Sequence, residues 1–267
     1  MGIDHVIDLD CLPKRALTTP GLLARLKART RAEAIVQLHR DHGDQRPPSD
    51  MGFEMVRRMP DGKEEVQTVL VRDLLDEAAA LDSLELHCAD CPANRAGRPF
   101  GCFDNINYPI SQKAELWLLK QLPGPDDVLP LMLLRRTLTD YLSDGAEIVR
   151  IRQRPGVIFQ TVERFARRID DVQIATDQVF ELLFLPEVIA PAHAALLLLF
   201  FGAIPRDMAA DELMHLTQAS PDHATRRDVP FLLSPDPADD ETIAEIKAFF
   251  AALHAAYRLN VPLSLDA

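Results

Sequence analysis

Apolar and polar positions change period several times within the first hundred residues. "HVIDLD" (5–10) alternates as a short strand does, and "TTPGLLARLKAR" follows with Thr19 as a cap and Pro20 at the first helical position. Thr30-Arg31-Ala32-Glu33 has the form of a capping box, so the pattern predicts two helices, over 20–28 and 31–41, the second ended by Gly43. "FEMVRRM" and "EVQTVLV" read as strands flanking a turn at Pro60-Asp61-Gly62-Lys63. The second strand runs into "RDLLDEAAALDSLEL", where Leu74, Leu75, Ala78 and Leu81 share one face of a helix.

These elements, in the order β-α-β-β-α, have the arrangement of part of a plait of strands and helices. Beyond residue 110 the period is mainly helical. Helices are expected over Gln112–Leu122 and over Asp126–Leu142, the latter stopped by Ser143-Asp144-Gly145. "EIVRIRQ" and "VIFQTV", separated by Arg154-Pro155-Gly156, read as a second hairpin. Three further helices, over 177–185, 190–203 and 207–218, precede a surface loop at 219–240 that is rich in Pro and Asp. In the last helix, over 240–258, Ile243, Ile246, Phe250, Leu253 and Tyr257 recur at steps of three and four, the stripe of a core-facing surface. The uncharged run from Val188 to Pro205 contains two prolines and His193, which argues for a buried helix and against a membrane span. The expected class is α+β: an N-terminal β-α-β-β-α unit, a cysteine-rich loop and a mainly helical C-terminal half. The expected subdomains, 1–104 and 105–267, pack as one unit.

Composition limits what such a chain can do. With 47% apolar and 26% charged residues among 267, it is suited to a folded core. A net charge of −12 opposes broad attachment to duplex nucleic acid or to anionic lipid. The opening "MGIDHVIDLD" lacks the basic and then apolar character of an export signal, and Val6 stands where a myristoylation pattern needs Ser or Thr, so a cytoplasmic protein is expected. Nothing in the pattern indicates an oligomeric state.

Chemistry concentrates in "HCADCPANRAGRPFGC" (87–102), which holds three of the four cysteines. The spacing Cys88-x2-Cys91-x10-Cys102 lets two sulfurs turn to one point and gives a loop long enough to bring round a third. Pro92, Gly97, Pro99 and Gly101 suit a wrapping loop, and Arg95 and Arg98 can offset thiolate charge. Cys11, the only other thiol, is the expected fourth ligand, with His87 and then His5 as alternatives. A structural zinc site follows from this set, with a 4Fe–4S cluster as the alternative cofactor and redox-active thiols behind it. The implied function is a metal-binding protein stapled by zinc that acts as a binding or scaffold protein. The alternative is an iron–sulfur enzyme or electron-transfer protein using the same cysteines.

A second concentration is basic. Arg150, Arg152, Arg154, Arg164, Arg167 and Arg168 lie close together with Glu163 as the one acid among them. Alternation along a strand would put Arg150, Arg152 and Arg154 on one face, with Arg164, Arg167 and Arg168 following on a helix that Val162, Phe165 and Ile169 anchor. Such a cluster would bind a small anion or an acidic protein segment, unless it pairs with the chain's own acids. His39-x-x-His42 beside Asp41 and Asp44 reads as a solvated cap, and His193 as a hydrogen-bonded core residue. Walker, dinucleotide-binding, nucleophile-elbow and zinc-helix motifs are missing from the sequence.

Overall fold

The computed structural model describes residues 2–58, 64–140, 144–153, 156–218 and 228–266. The expected turn at Pro60-Asp61-Gly62-Lys63, Ser143, Arg154, Pro155 and the segment 219–227 lie outside them. In chain order, the first elements are β1 (Gly2–Ile7), α1 (Leu12–Leu17), α2 (Thr19–Asp41), β2 (Gly52–Arg58), β3 (Glu64–Leu70), α3 (Val71–Ala78) and β4 (Phe103–Asn107). Next come α4 (Gln112–Gln121), α5 (Val128–Asp140), α6 (Ala146–Arg152), β5 (Ala166–Ile169), β6 (Val172–Ala175) and α7 (Thr176–Phe184). The last are β7 (Val188–Ile189), α8 (Pro191–Phe200), α9 (Ala210–Thr217), α10 (Glu241–Leu259) and β8 (Leu263–Asp266). The class is α+β, with 51% helix and 15% strand.

The chain divides into two compact units, and the division is not the expected one. One unit combines Met1–Leu9 with Gly101–Ala267, and Asp10–Phe100 form the other. The first strand therefore belongs with the C-terminal part. Its unit is built on an antiparallel sheet in the order β4-β1-β8-β7, in which Val6 lies opposite Phe103 on one side and Ser264 on the other. The expected plait is thereby corrected: β1 does not pair with β2 or β3, which form their own hairpin.

Beneath the sheet runs α10, and the stripe read from the sequence is its buried face: Ile243, Ile246, Phe250, Leu253 and Tyr257 are all buried, together with Phe249. Its start is fixed by Asp240, whose side chain accepts from the Ile243 N–H at 2.9 Å, and its end by Asn260 in the left-handed conformation. Asp240 also accepts from Ser111 Oγ at 2.7 Å, and Ser111 in turn caps α4 through the Ala114 N–H. One hydroxyl thus ties two helix starts together. Against α10 packs α8, whose Ala194, Ala195 and Leu197 to Phe200 are buried, as the apolar run predicts. Among the described residues no helix is long and apolar enough to cross a membrane.

The expected hairpin at 147–162 is overturned. Residues 146–152 form α6, because Ile148 and Arg152, one turn apart, are the buried positions. A hairpin does occur further on, where β5 and β6 pair around Asp170 in the left-handed conformation. It carries Arg167 and Arg168, which were expected on a helix.

In the inserted unit α2 is a single helix of 23 residues in place of the two expected. No glycine or proline interrupts it between Leu22 and Asp41, so the capping-box sequence at Thr30 continues the helix. Thr18 caps it by accepting from the Gly21 N–H at 3.3 Å. The core of this unit comprises Ala28, Ala32, Ile35, Met51, Val71 and Leu74, so one face of α2 covers α3.

One acid on α10 gives a test by pH. Burial pushes the Glu245 carboxyl above the usual carboxylate range, against the pull of its hydrogen bonds from Asn107, and Glu241 and Asp104 add to the rise. A carboxyl that keeps its proton to higher pH when folded contributes stability that is lost as pH rises through its folded value. Glu245→Gln, which retains an acceptor for Asn107, is expected to melt higher than the parent at pH 7. The gap should close toward about pH 4, where unfolded carboxylates protonate. A pH-independent difference would contradict this origin.

Candidate functional site

The cysteine region lies in a part of the inserted unit with little regular structure. After α3 the chain turns through short 3-10 segments, the second of which, Glu85–Cys88, ends on a buried cysteine. The backbone then folds tightly around it. Asn94 donates from its side chain to the Cys88 carbonyl at 2.8 Å and from its backbone to the Cys91 carbonyl at 2.8 Å. Phe100 adopts a positive φ of 57° and turns its N–H onto the Cys88 sulfur. Burial pushes the Cys88 thiol up; the Phe100 N–H opposes that, and Cys91, Cys11 and Glu85 add to it.

Cys11 stands in the same unit as Cys88 and within electrostatic reach of it. It sits in extended backbone just before α1 and is partly exposed, as Cys91 is. Cys102 falls in the other unit, where its carbonyl accepts from the Ile7 N–H at 3.1 Å. His87 is exposed, whereas His5 is 2% exposed on β1 with its ring edge-on to Phe249 at 5.3 Å. All four cysteines are free thiols. Among the described residues no three His, Cys, Asp or Glu side chains are gathered closely enough to hold a metal ion.

The arginines do not share a face. Arg152 is 2% exposed and donates to Asp177 at 2.9 Å and to both oxygens of Glu115 at 3.0 and 2.6 Å. Its guanidinium also lies over the Phe159 ring, 3.9 Å from the centroid. Arg164 donates to the second oxygen of Asp177 at 2.6 Å, and Arg150 pairs with Glu147 on its own helix. Arg167 donates to the carbonyls of Leu119 and Leu122 at the end of α4, where a cation complements the helix dipole. Arg168 donates to the Asp170 carbonyl, and Arg154 is outside the described residues. The strand face on which the anion site was expected is replaced by α6, and these cations meet acids and carbonyls of their own unit.

His39 is held between Asp44 and the Gly52 carbonyl, each at 3.1 Å, while His42 bonds the Leu38 carbonyl, so both belong to the end of α2. His193 departs from expectation: it is exposed on α8 and borders a cavity of about 400 Å³. This cavity was missed in the sequence because α5, α7, β7 and α8 each contribute to its wall. Compared with models of known protein families, with curated proteins and with solved structures, the chain matches none.

Proposed function

We propose that the protein binds a metal through its thiolates, with zinc as the metal and a structural role for it, and that the unit so stapled serves as a binding or scaffold module for another protein. The observation that supports this reading is that Cys11, distant in sequence, lies in the same unit as Cys88 and Cys91 and near enough to Cys88 to add to the rise of its thiol. A soft, all-thiol donor set suits zinc. Binding would require the three side chains to draw together from where they stand, and the free energy released would then stabilise the surrounding loop, which has little regular structure of its own. Free thiols fit a reducing compartment, the cytoplasm.

Metal analysis of the purified chain tests this. The expected result is a colourless protein with one zinc per chain, and loss of most of that zinc in Cys88→Ser and in Cys11→Ser. Cys102→Ser then separates a four-thiolate site from a three-thiolate site completed by water. Both ligand variants should also melt lower than the parent, because metal-binding free energy is folding free energy. Unchanged metal content and melting temperature in Cys88→Ser would overturn the reading. A brown sample absorbing near about 400 nm would replace zinc with the iron–sulfur alternative.

A further inference from the structure

The cavity beside His193 has the character of a ligand site independent of the cysteines. Its walls are mostly hydrocarbon: Leu182 of α7, Leu185 just after it, Ile189 of β7, and Leu196, Leu197 and Phe200 of α8. His193, Leu196, Leu197 and Phe200 lie at steps of three and four, so one face of α8 forms a continuous side of it. A volume of about 400 Å³ lies in the range of small-molecule sites. It opens to solvent at one side, where Leu185, Val188 and His193 are exposed.

The polar groups on this wall are few and differ in kind. Thr137 already donates its hydroxyl to the Leu133 carbonyl at 2.9 Å and so presents an acceptor. Glu181 is held firmly, one oxygen accepting from the Gly145 N–H at 2.8 Å and the other from the Glu147 N–H at 3.0 Å. Those bonds fix the carboxylate in place but leave lone pairs on both oxygens. No arginine or lysine lines the cavity among the described residues. An anionic ligand would therefore enter beside a fixed negative charge, with the exposed His193 as its sole ionisable counterpart. A cation would meet a carboxylate and a hydroxyl acceptor at the edge of an apolar surface, in a chain that is itself strongly acidic.

We infer that this cavity binds a small apolar cation, an alkyl- or arylammonium, whose hydrocarbon part lies between α7 and α8 and whose ammonium group pairs with Glu181. Specificity in such a site comes from the pairing of hydrocarbon fit with one fixed charge, and the matching carboxylic acid is rejected by the same carboxylate.

The test compares hexylammonium, hexanoate and hexanol as probes on the full chain, by thermal shift and by calorimetric titration. Hexylammonium is expected to raise the melting temperature by about 2–4 °C at millimolar concentration, hexanol by less, and hexanoate not at all. Glu181→Gln should weaken hexylammonium at least about tenfold and bring it level with hexanol, a loss of one charge-assisted bond. Because Glu181 also supports the start of α6, a second variant is needed. Leu196→Trp, at a partly exposed wall position, should fill the cavity and abolish binding of hexylammonium and hexanol while leaving the parent fold. Hexanoate binding as well as hexylammonium, failure of both, or hexylammonium binding undiminished in Leu196→Trp would each overturn the assignment. Zinc content is unaffected in every arm, so this result and that of the metal analysis stand separately.

Discussion

Arg152→Met is expected to destabilise the sheet unit by about 3–5 kcal/mol, the usual consequence of removing one partner from a buried ion pair. For a domain of this size that is a fall of roughly 6–20 °C in melting temperature. The long methionine side chain fills much of the same volume against Phe159, but it gives up the cation–π contact and the bonds to the Thr161 and Glu163 carbonyls along with the charge. Glu115 and Asp177, both fully buried, would be left with Thr176 and Arg164 as their remaining partners. Burial already pushes the Glu115 carboxyl above its ordinary range, and the bonds from Arg152 pull it down. Without Arg152 it rises further, so folded molecules take up protons more readily than unfolded ones and the deficit of the variant should shrink as pH falls. Adding Glu115→Gln and Asp177→Asn to the same chain should restore much of the loss at pH 7. A single variant that melts with the parent would mean that water reaches this network.

Phe249→Ala is the second large effect, expected at about 3–5 kcal/mol. Phe249 has no exposed surface and touches three rings, His5 at 5.3 Å, Phe184 at 5.1 Å and Phe250 at 5.8 Å. It therefore joins β1, α7 and α10, and its removal leaves a void that none of the three can fill alone. Trp117, the chain's single tryptophan, packs on Phe250 at 6.5 Å and belongs to the same unit, so its emission during urea unfolding reports the change directly. Phe249→Leu, which restores part of the volume, should recover more than half of the midpoint. A midpoint shared by parent and Phe249→Ala would show that the ring cluster contributes nothing to stability.

How far the fold was legible follows from what kind of force decides each element. The helices α4, α7, α8 and α10 were read within a few residues because each buries apolar positions local to it, and α4, α8 and α10 also have a capping side chain or a proline at their start. Residues 146–152 were misread because isoleucine and arginine alternate there in a way that satisfies both a period of two and a period near four. What decides the matter is Arg152 reaching Glu115 and Asp177, and no short window contains them. Arg167 and Arg168 obscured a strand in the same way, although Asp170-Asp171 between two β-rich stretches was a turn signal. The pairing of β1 with β8 joins opposite ends of the described chain, whereas neighbours in sequence are the default partners.

At the candidate site, spacing selected Cys88, Cys91 and Cys102 together, and elimination selected Cys11; of these four, Cys102 falls in the other unit. That Phe100 would close its unit just before Cys102 was not legible, since a unit boundary is a property of distant packing. The arginines illustrate the converse. Their charge was plain in the sequence, but the acids and carbonyls that meet it come from α4, α6 and α7.

The sheet itself can be viewed as a hairpin with an unusual connection. Ile7 and Cys102 are hydrogen-bonded and Val6 faces Phe103, so the chain leaves β1 and re-enters at β4 on adjacent antiparallel strands. Everything from Asp10 to Phe100 occupies the position that a two- to five-residue turn occupies in an ordinary hairpin. The entropy of closing a connection grows only logarithmically, about 0.6 kcal/mol for each doubling of length, so even as an unstructured loop the stretch from Asp10 to Phe100 would cost only roughly 3 kcal/mol more than a turn. The two strands consequently act as a cassette boundary, at which one inserted module could be exchanged for another, or for a tight turn, without altering the register of the sheet that carries it.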